Sequence, residues 1–125
     1  MKPGARRSSN VKDARFIWKS TCTTCRDARA FLRGLGAKLD ERDYARARLT
    51  ATELESLFKG RYARDFINPR SPAYKAMALA GKALTPPDAI ALMVREPNLL
   101  KRPIVVVGGE MIAGFDRDRI RDALK

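Results

Sequence analysis

The sequence predicts an α/β fold with a four-stranded mixed sheet and a run of short helices inserted between its two halves. Three observations predict it. Cys22 and Cys25 form a Cys-x-x-Cys between a short apolar run and an amphipathic helix pattern. Gly108–Gly109 joins two apolar runs near the other end of the chain. Between these points, cap residues and prolines punctuate several short helices.

The first strand covers Ala14 to Lys19, where Phe16, Ile17 and Trp18 are contiguous and apolar, and the cysteine loop follows its C-terminal end. From Thr24 onward, Ala28, Phe31, Leu32 and Leu35 recur at helical spacing. Arg26, Arg29 and Arg33 line another face, and Gly34 with Gly36 ends the helix. Leu39 to Tyr44 is polar and reads as an edge strand parallel to the first, completing a βαβ unit. Thr50-x-x-Glu53 is a capping-box pattern ahead of Leu54, Leu57 and Phe58, so a helix runs from about Ala51 to Gly60. Ser71–Pro72 starts a short helix through Tyr74 and Met77. Thr85-Pro86-Pro87-Asp88 starts another, with Ile90, Met93 and Val94 inward and an end at Glu96–Pro97. Residues 104–107 and 110–113 form a hairpin around the two glycines. A last helix begins near Asp116 with Ile120, Ala123 and Leu124 on its buried side. A strand, cysteine loop and helix at one end, with a hairpin and helix at the other, make a thioredoxin-like sheet.

With 125 residues the chain has room for one core, and residues 14–125 read as a single domain behind a flexible basic leader at 1–13. That leader has four basic residues but no apolar segment, so it fails as a secretory signal, and no run is long and apolar enough to span a membrane. The expected location is the cytoplasm. In a reducing compartment a Cys-x-x-Cys is catalytic, redox-sensing or metal-binding rather than a structural staple. The chain has no His and only two Cys, too few for a tetrahedral zinc ion, so no metal is expected. A thiol at a helix N-terminus feels unpaired N–H groups and the positive end of the helix dipole, and both favour the nucleophilic thiolate.

The net charge of +12 fits an anionic small substrate, an acidic protein surface or nucleic acid. Direct nucleic-acid binding is the weakest of these. The cations alternate with acids, as in Asp40-Glu41-Arg42-Asp43 and Asp116-Arg117-Asp118-Arg119, and aromatics for base stacking are few.

Three stretches then carry a resemblance: the cysteine loop, Ile67-Asn68-Pro69-Arg70-Ser71, and Pro97-Asn98-Leu99-Leu100-Lys101-Arg102-Pro103-Ile104-Val105. With these in order, residues 15–125 resemble the arsenate reductase and Spx regulator family, a thioredoxin fold with a helical insertion. The resemblance implies that Cys22 is the nucleophile and that Arg26, Arg70 and Arg102 converge on it as donors to an oxyanion. It also implies a cis-Pro103 against the reactive sulfur and Cys25 as the resolving thiol. Thr23 and Thr24 support the site, as helix caps or as hydroxyl donors, capping being the stronger expectation.

The implied activity is a glutathione- or glutaredoxin-linked thiol oxidoreductase acting on arsenate or a similar oxyanion, or on a disulfide. Glutathione would serve as co-substrate, thioredoxin as an alternative electron donor, and no cofactor would be bound. The implied alternative is an Spx-like redox switch that binds the RNA polymerase α subunit. Reductases of the family have Ser or another residue where Cys25 stands, and a further Arg where this chain reads Gly114-Phe115-Asp116. The regulators share the Cys-x-x-Cys and that ending but have Gly at the polymerase contact, where this chain has Tyr62.

Overall fold

A computed structural model describes residues 12–125, so most of the leader expected at 1–13 lies outside the described residues. Four strands form one sheet: β1 (Asp13–Trp18), β2 (Lys38–Asp43), β3 (Ile104–Val107) and β4 (Glu110–Ala113). Their order is β2-β1-β3-β4, with β1 parallel to β2 and antiparallel to β3, and β3 antiparallel to β4. This is the thioredoxin-like mixed sheet, and β2 lies at its edge as its polar sequence predicts. Strand β1 starts at Asp13, one residue earlier than expected, because its parallel ladder with β2 already pairs Asp13 with Lys38.

Contacts divide the chain into two compact units, one holding the sheet and the other spanning 46–101. In the sheet unit, helix α1 (Thr23–Gly34) packs Cys25, Ala28 and Leu32 into a core with Phe16, Trp18, Val105, Ile112 and Ile120. The helix stops where the sequence places its glycines: Gly36 has φ +86°, its N–H donates to Arg33 O, and Ala37 N–H donates to Leu32 O. That paired closure needs a left-handed residue, which Gly supplies without a Cβ penalty. Leu35, expected on the buried stripe, is instead 39% exposed, since the helix has already ended before it. Glu41 of β2 accepts from Arg29 at 2.9 Å and Arg33 at 3.3 Å, tying the cationic face of α1 to the strand.

The inserted unit carries the three expected helices: α2 (Ala51–Leu57), α3 (Pro72–Ala76) and α4 (Pro86–Arg95). The Thr50–Glu53 capping box is complete in both directions, and Ser71 and Thr85 accept from Ala73 and Asp88 N–H groups. Thr50→Ala is expected to cost about 1 kcal/mol, the usual value of an N-cap hydroxyl, measured as a lowered urea midpoint. Helix α2 ends at Leu57, short of Gly60, and Val94 is only half-buried while Ala89 takes the inward position. Two 3₁₀ turns, Ala63–Phe66 and Pro97–Leu99, were not evident from periodicity because each is a single turn. The chain closes with α5 (Arg117–Ala123), whose Ile120 is fully buried and whose N-cap Asp116 accepts from Arg119 N–H. Among the described residues no helix is long and apolar enough to cross a membrane.

Candidate active site

The cysteine loop is built by the ends of two parallel strands. Strand β1 finishes at Trp18, whose carbonyl accepts from Tyr44 N–H just past β2. The Asp43 carboxylate accepts from the backbone N–H groups of Ser20 and Ala45, both at 3.1 Å. The loop then turns tightly, with Cys22 N–H donating to Lys19 O at 2.9 Å, and the helix begins. Cys22 is the N-cap of α1, half-buried, and Cys25 is fully buried one turn in.

Thr23 and Thr24 therefore do not cap the helix as expected. They occupy its first two turn positions, both exposed, because Cys22 already holds the extended N-cap conformation. No side-chain oxygen fills the cap, and of the backbone N–H groups at the start of α1 it is that of Cys25 that acts on the Cys22 sulfur. Thr23 Oγ1 instead accepts from Arg26 Nη2 at 3.2 Å, while Arg26 Nη1 donates to Ser20 O at 2.9 Å. Arg26 thus clamps the loop from its exposed side.

Electrostatics separates the two thiols. Partial burial works against a Cys22 thiolate, yet the Cys25 backbone N–H, the Cys25 thiol and the Arg102 guanidinium outweigh it and hold its pKa below the ordinary value. The Cys25 N–H does not make a formal capping bond to the neutral thiol, but it faces the sulfur closely enough to stabilise a negative charge there. Burial drives Cys25 the other way, to about 12, and the neighbouring Cys22 charge adds to the rise. One sulfur is biased toward the thiolate and the other is kept a neutral thiol donor beside it.

Arg102 enters the site from two residues before β3, joined by a cis peptide bond to Pro103. Pro103 O accepts from Gly114 N–H at 2.7 Å, fixing the start of the hairpin. Facing Arg102 is Tyr44, 3% exposed, its phenol pushed up to about 12 by burial. Sequence reading placed Tyr44 only as the end of a strand. The parallel register, which pairs Trp18 with Asp43, is the signal that sets the next residue beside the cysteine loop. Arg70 belongs to the inserted unit, exposed on the turn where Ser71 N–H donates to Asn68 O and Arg70 N–H to Asn68 Oδ1. Among the described residues no three His, Cys, Asp or Glu side chains gather as a metal site.

These shifts set the pH dependence of stability. Cys22 ionises more readily folded than unfolded, so its contribution grows as pH rises from its depressed pKa and is complete above about 9, being lost as pH falls. Cys25 and Tyr44 stay neutral in the fold, so their contributions are full below their unfolded values of 9.0 and 10.0 and vanish as pH climbs toward about 12. Urea midpoints are expected to peak near pH 9 and drop steeply above it; Cys25→Ala should flatten the alkaline limb.

A family model described as ArsC family matches residues 17–123. An uncharacterized 15.7 kDa protein of Rhodospirillum rubrum is 32% identical over 86% of this chain and 75% of its own length. A global transcriptional regulator Spx of Streptococcus pyogenes is 33% identical over 81% of this chain and 77% of its own. An arsenate reductase structure from Vibrio cholerae superposes with a TM-score of 0.76 at 22% identity, covering 91% of this chain and 99% of that one, a likeness of fold.

Proposed function

Since the chain belongs to the ArsC family, we propose that it is a cytoplasmic thiol oxidoreductase in which the Cys22 thiolate attacks an oxyanion of the arsenate type or a mixed disulfide. The observation that carries this reading is the asymmetric thiol pair: a depressed Cys22 at the start of α1 against Arg102, with a neutral Cys25 directly behind it. Arg26 and Arg102 would supply forked, charge-assisted donors to a tetrahedral anion, with Arg102 serving thiolate and substrate in turn. Pro103 fixes the backbone that presents Arg102. Thr23 supports the loop through Arg26, and Thr24 borders the same helix start.

For an arsenate-type substrate, sulfur displaces one oxygen as water, taking up the protons, and a Cys22–arsenic bond forms. A second thiol, from glutathione or Cys25, then attacks the Cys22 sulfur. The electron pair of the sulfur–arsenic bond stays on arsenic, which is reduced by two electrons and released as arsenite. The products are balanced by one disulfide at Cys22, which a further thiol from glutathione, glutaredoxin or thioredoxin reduces. The test is arsenate-dependent NADPH oxidation coupled through glutathione, glutaredoxin and glutathione reductase. Turnover that saturates with arsenate supports the reading; a folded, fully reduced protein that gives none refutes the oxyanion substrate.

The similarity to an Spx regulator over 81% of the chain favours one second reading. In it, a Cys22–Cys25 disulfide controls binding to the RNA polymerase α subunit. Tyr62, 69% exposed on the inserted unit, would stand in that contact. Co-elution with the α subunit that depends on the redox state, without turnover, is its signature.

A further inference from the structure

Among the described residues, Tyr44 stands beside the cysteines and the proposed cycle leaves its chemistry unused. It is 3% exposed, and among the described residues its hydroxyl makes no hydrogen bond of good geometry and faces no group that accepts its proton. A buried hydroxyl without a partner costs folding free energy, so such groups are rare and normally satisfied. Around it stand Arg102, Cys22 and Cys25. Arg102 is close enough to act on the phenol both electrostatically and as a hydrogen-bond donor to its oxygen, but a guanidinium only donates, so it can never take the phenol's proton. Cys25 is a neutral thiol and a weak acceptor. The O–H is thus a donor in a cationic corner whose protein groups supply no acceptor, and an oxyanion is the kind of group that such a corner can bind.

We infer that Tyr44 is a binding residue of this site, donating its hydroxyl to the oxyanion that docks on Arg102 above Cys22. The inference rests on the oxyanion reading and deepens it, because it adds a neutral donor to the cationic ones. A phenol donates without adding charge, so it would stabilise a bound oxyanion without lowering the Cys22 pKa further. The backbone that carries the donor is held in place: Tyr44 N–H donates to Trp18 O at 2.9 Å, and the preceding Asp43 accepts from Ser20 N–H at 3.1 Å.

The test is protection of Cys22 from iodoacetamide by arsenate and by inorganic phosphate, in the reduced full chain and in Tyr44→Phe. Phe keeps the ring and removes only the hydroxyl. The expected result is protection weakened about tenfold, the size of one hydrogen bond to a charged acceptor. The pH midpoint of alkylation without anion should be unchanged. The melting temperature should not fall, because the O–H that is removed has no acceptor in the fold. Equal protection in Tyr44→Phe and the unmodified chain overturns the role of Tyr44 while leaving the oxyanion reading intact. A lowered melting temperature with a shifted alkylation midpoint also overturns it, since the hydroxyl would then be a structural support of the thiolate. No protection of the unmodified chain by either anion overturns the oxyanion reading and the Tyr44 role with it.

Discussion

Cys22→Ser is expected to remove arsenate- or disulfide-dependent turnover by roughly a thousandfold or more with every electron donor. A serine hydroxyl stays protonated at neutral pH, whereas the Cys22 thiol has a lowered pKa, so in the variant the Cys25 N–H and Arg102 have no sulfur charge to stabilise. Cys25→Ser makes the informative contrast. Ser retains the backbone N–H and a side-chain donor toward Cys22, so the nucleophile keeps its environment and only the internal resolving thiol is lost. Activity driven by glutathione should survive, whereas a cycle that releases product through an internal disulfide should stop. Steady-state rates with glutathione–glutaredoxin and with thioredoxin as donors read the two outcomes separately. Residual turnover in Cys22→Ser would remove this mechanism altogether.

Arg102→Ala should lower kcat/KM by about a hundredfold, the usual cost of deleting one preorganised donor to developing negative charge. Two effects combine in that loss. The Cys22 pKa should rise toward its ordinary value, because burial then acts without the guanidinium that offsets it, and this appears as a shift of the alkylation midpoint to higher pH. The remaining loss should persist at pH values where Cys22 is fully ionised in both proteins, and it measures the contribution of Arg102 to the substrate. Arg102→Lys should restore much of the pKa but little of the second effect, since an ammonium lacks the planar fork. A rate profile of Arg102→Ala that merely slides along the pH axis, with its plateau unchanged, would confine Arg102 to the thiol.

Much of this was legible because strong local signals coincide with the site. The Cys-x-x-Cys ends a buried strand and opens a helix, the Gly108–Gly109 turn fixes the hairpin, and the Thr50, Ser71 and Thr85 caps start the inserted helices where expected. Helix ends were less legible. Leu35 follows the apolar spacing yet lies past the closure at Gly36, and Val94 lies half-buried while the smaller Ala89 packs inward, choices made by tertiary packing rather than by period. The hydroxyls of Thr23 and Thr24 looked like caps because residue type alone suits them, but the turn from Lys19 to Cys22 sets the cap one residue earlier. Tyr44 was the least visible of all. Its importance comes from sheet register, Asp43 and a cation 58 residues further along the chain, contacts of a kind that no local pattern encodes.

The central claim, that Cys22 is the sulfur that forms the covalent intermediate, is tested most directly by trapping. Reduced Cys25→Ser protein is exposed to glutathione disulfide at neutral pH, and the adduct is located by intact mass and peptide mapping. The predicted result is one glutathionyl group, on Cys22, formed faster in the folded protein than in a urea-unfolded control at the same pH. A Cys22 that reacts no faster folded than unfolded would contradict the account, because the charge-stabilising surroundings of that sulfur would then have no chemical consequence.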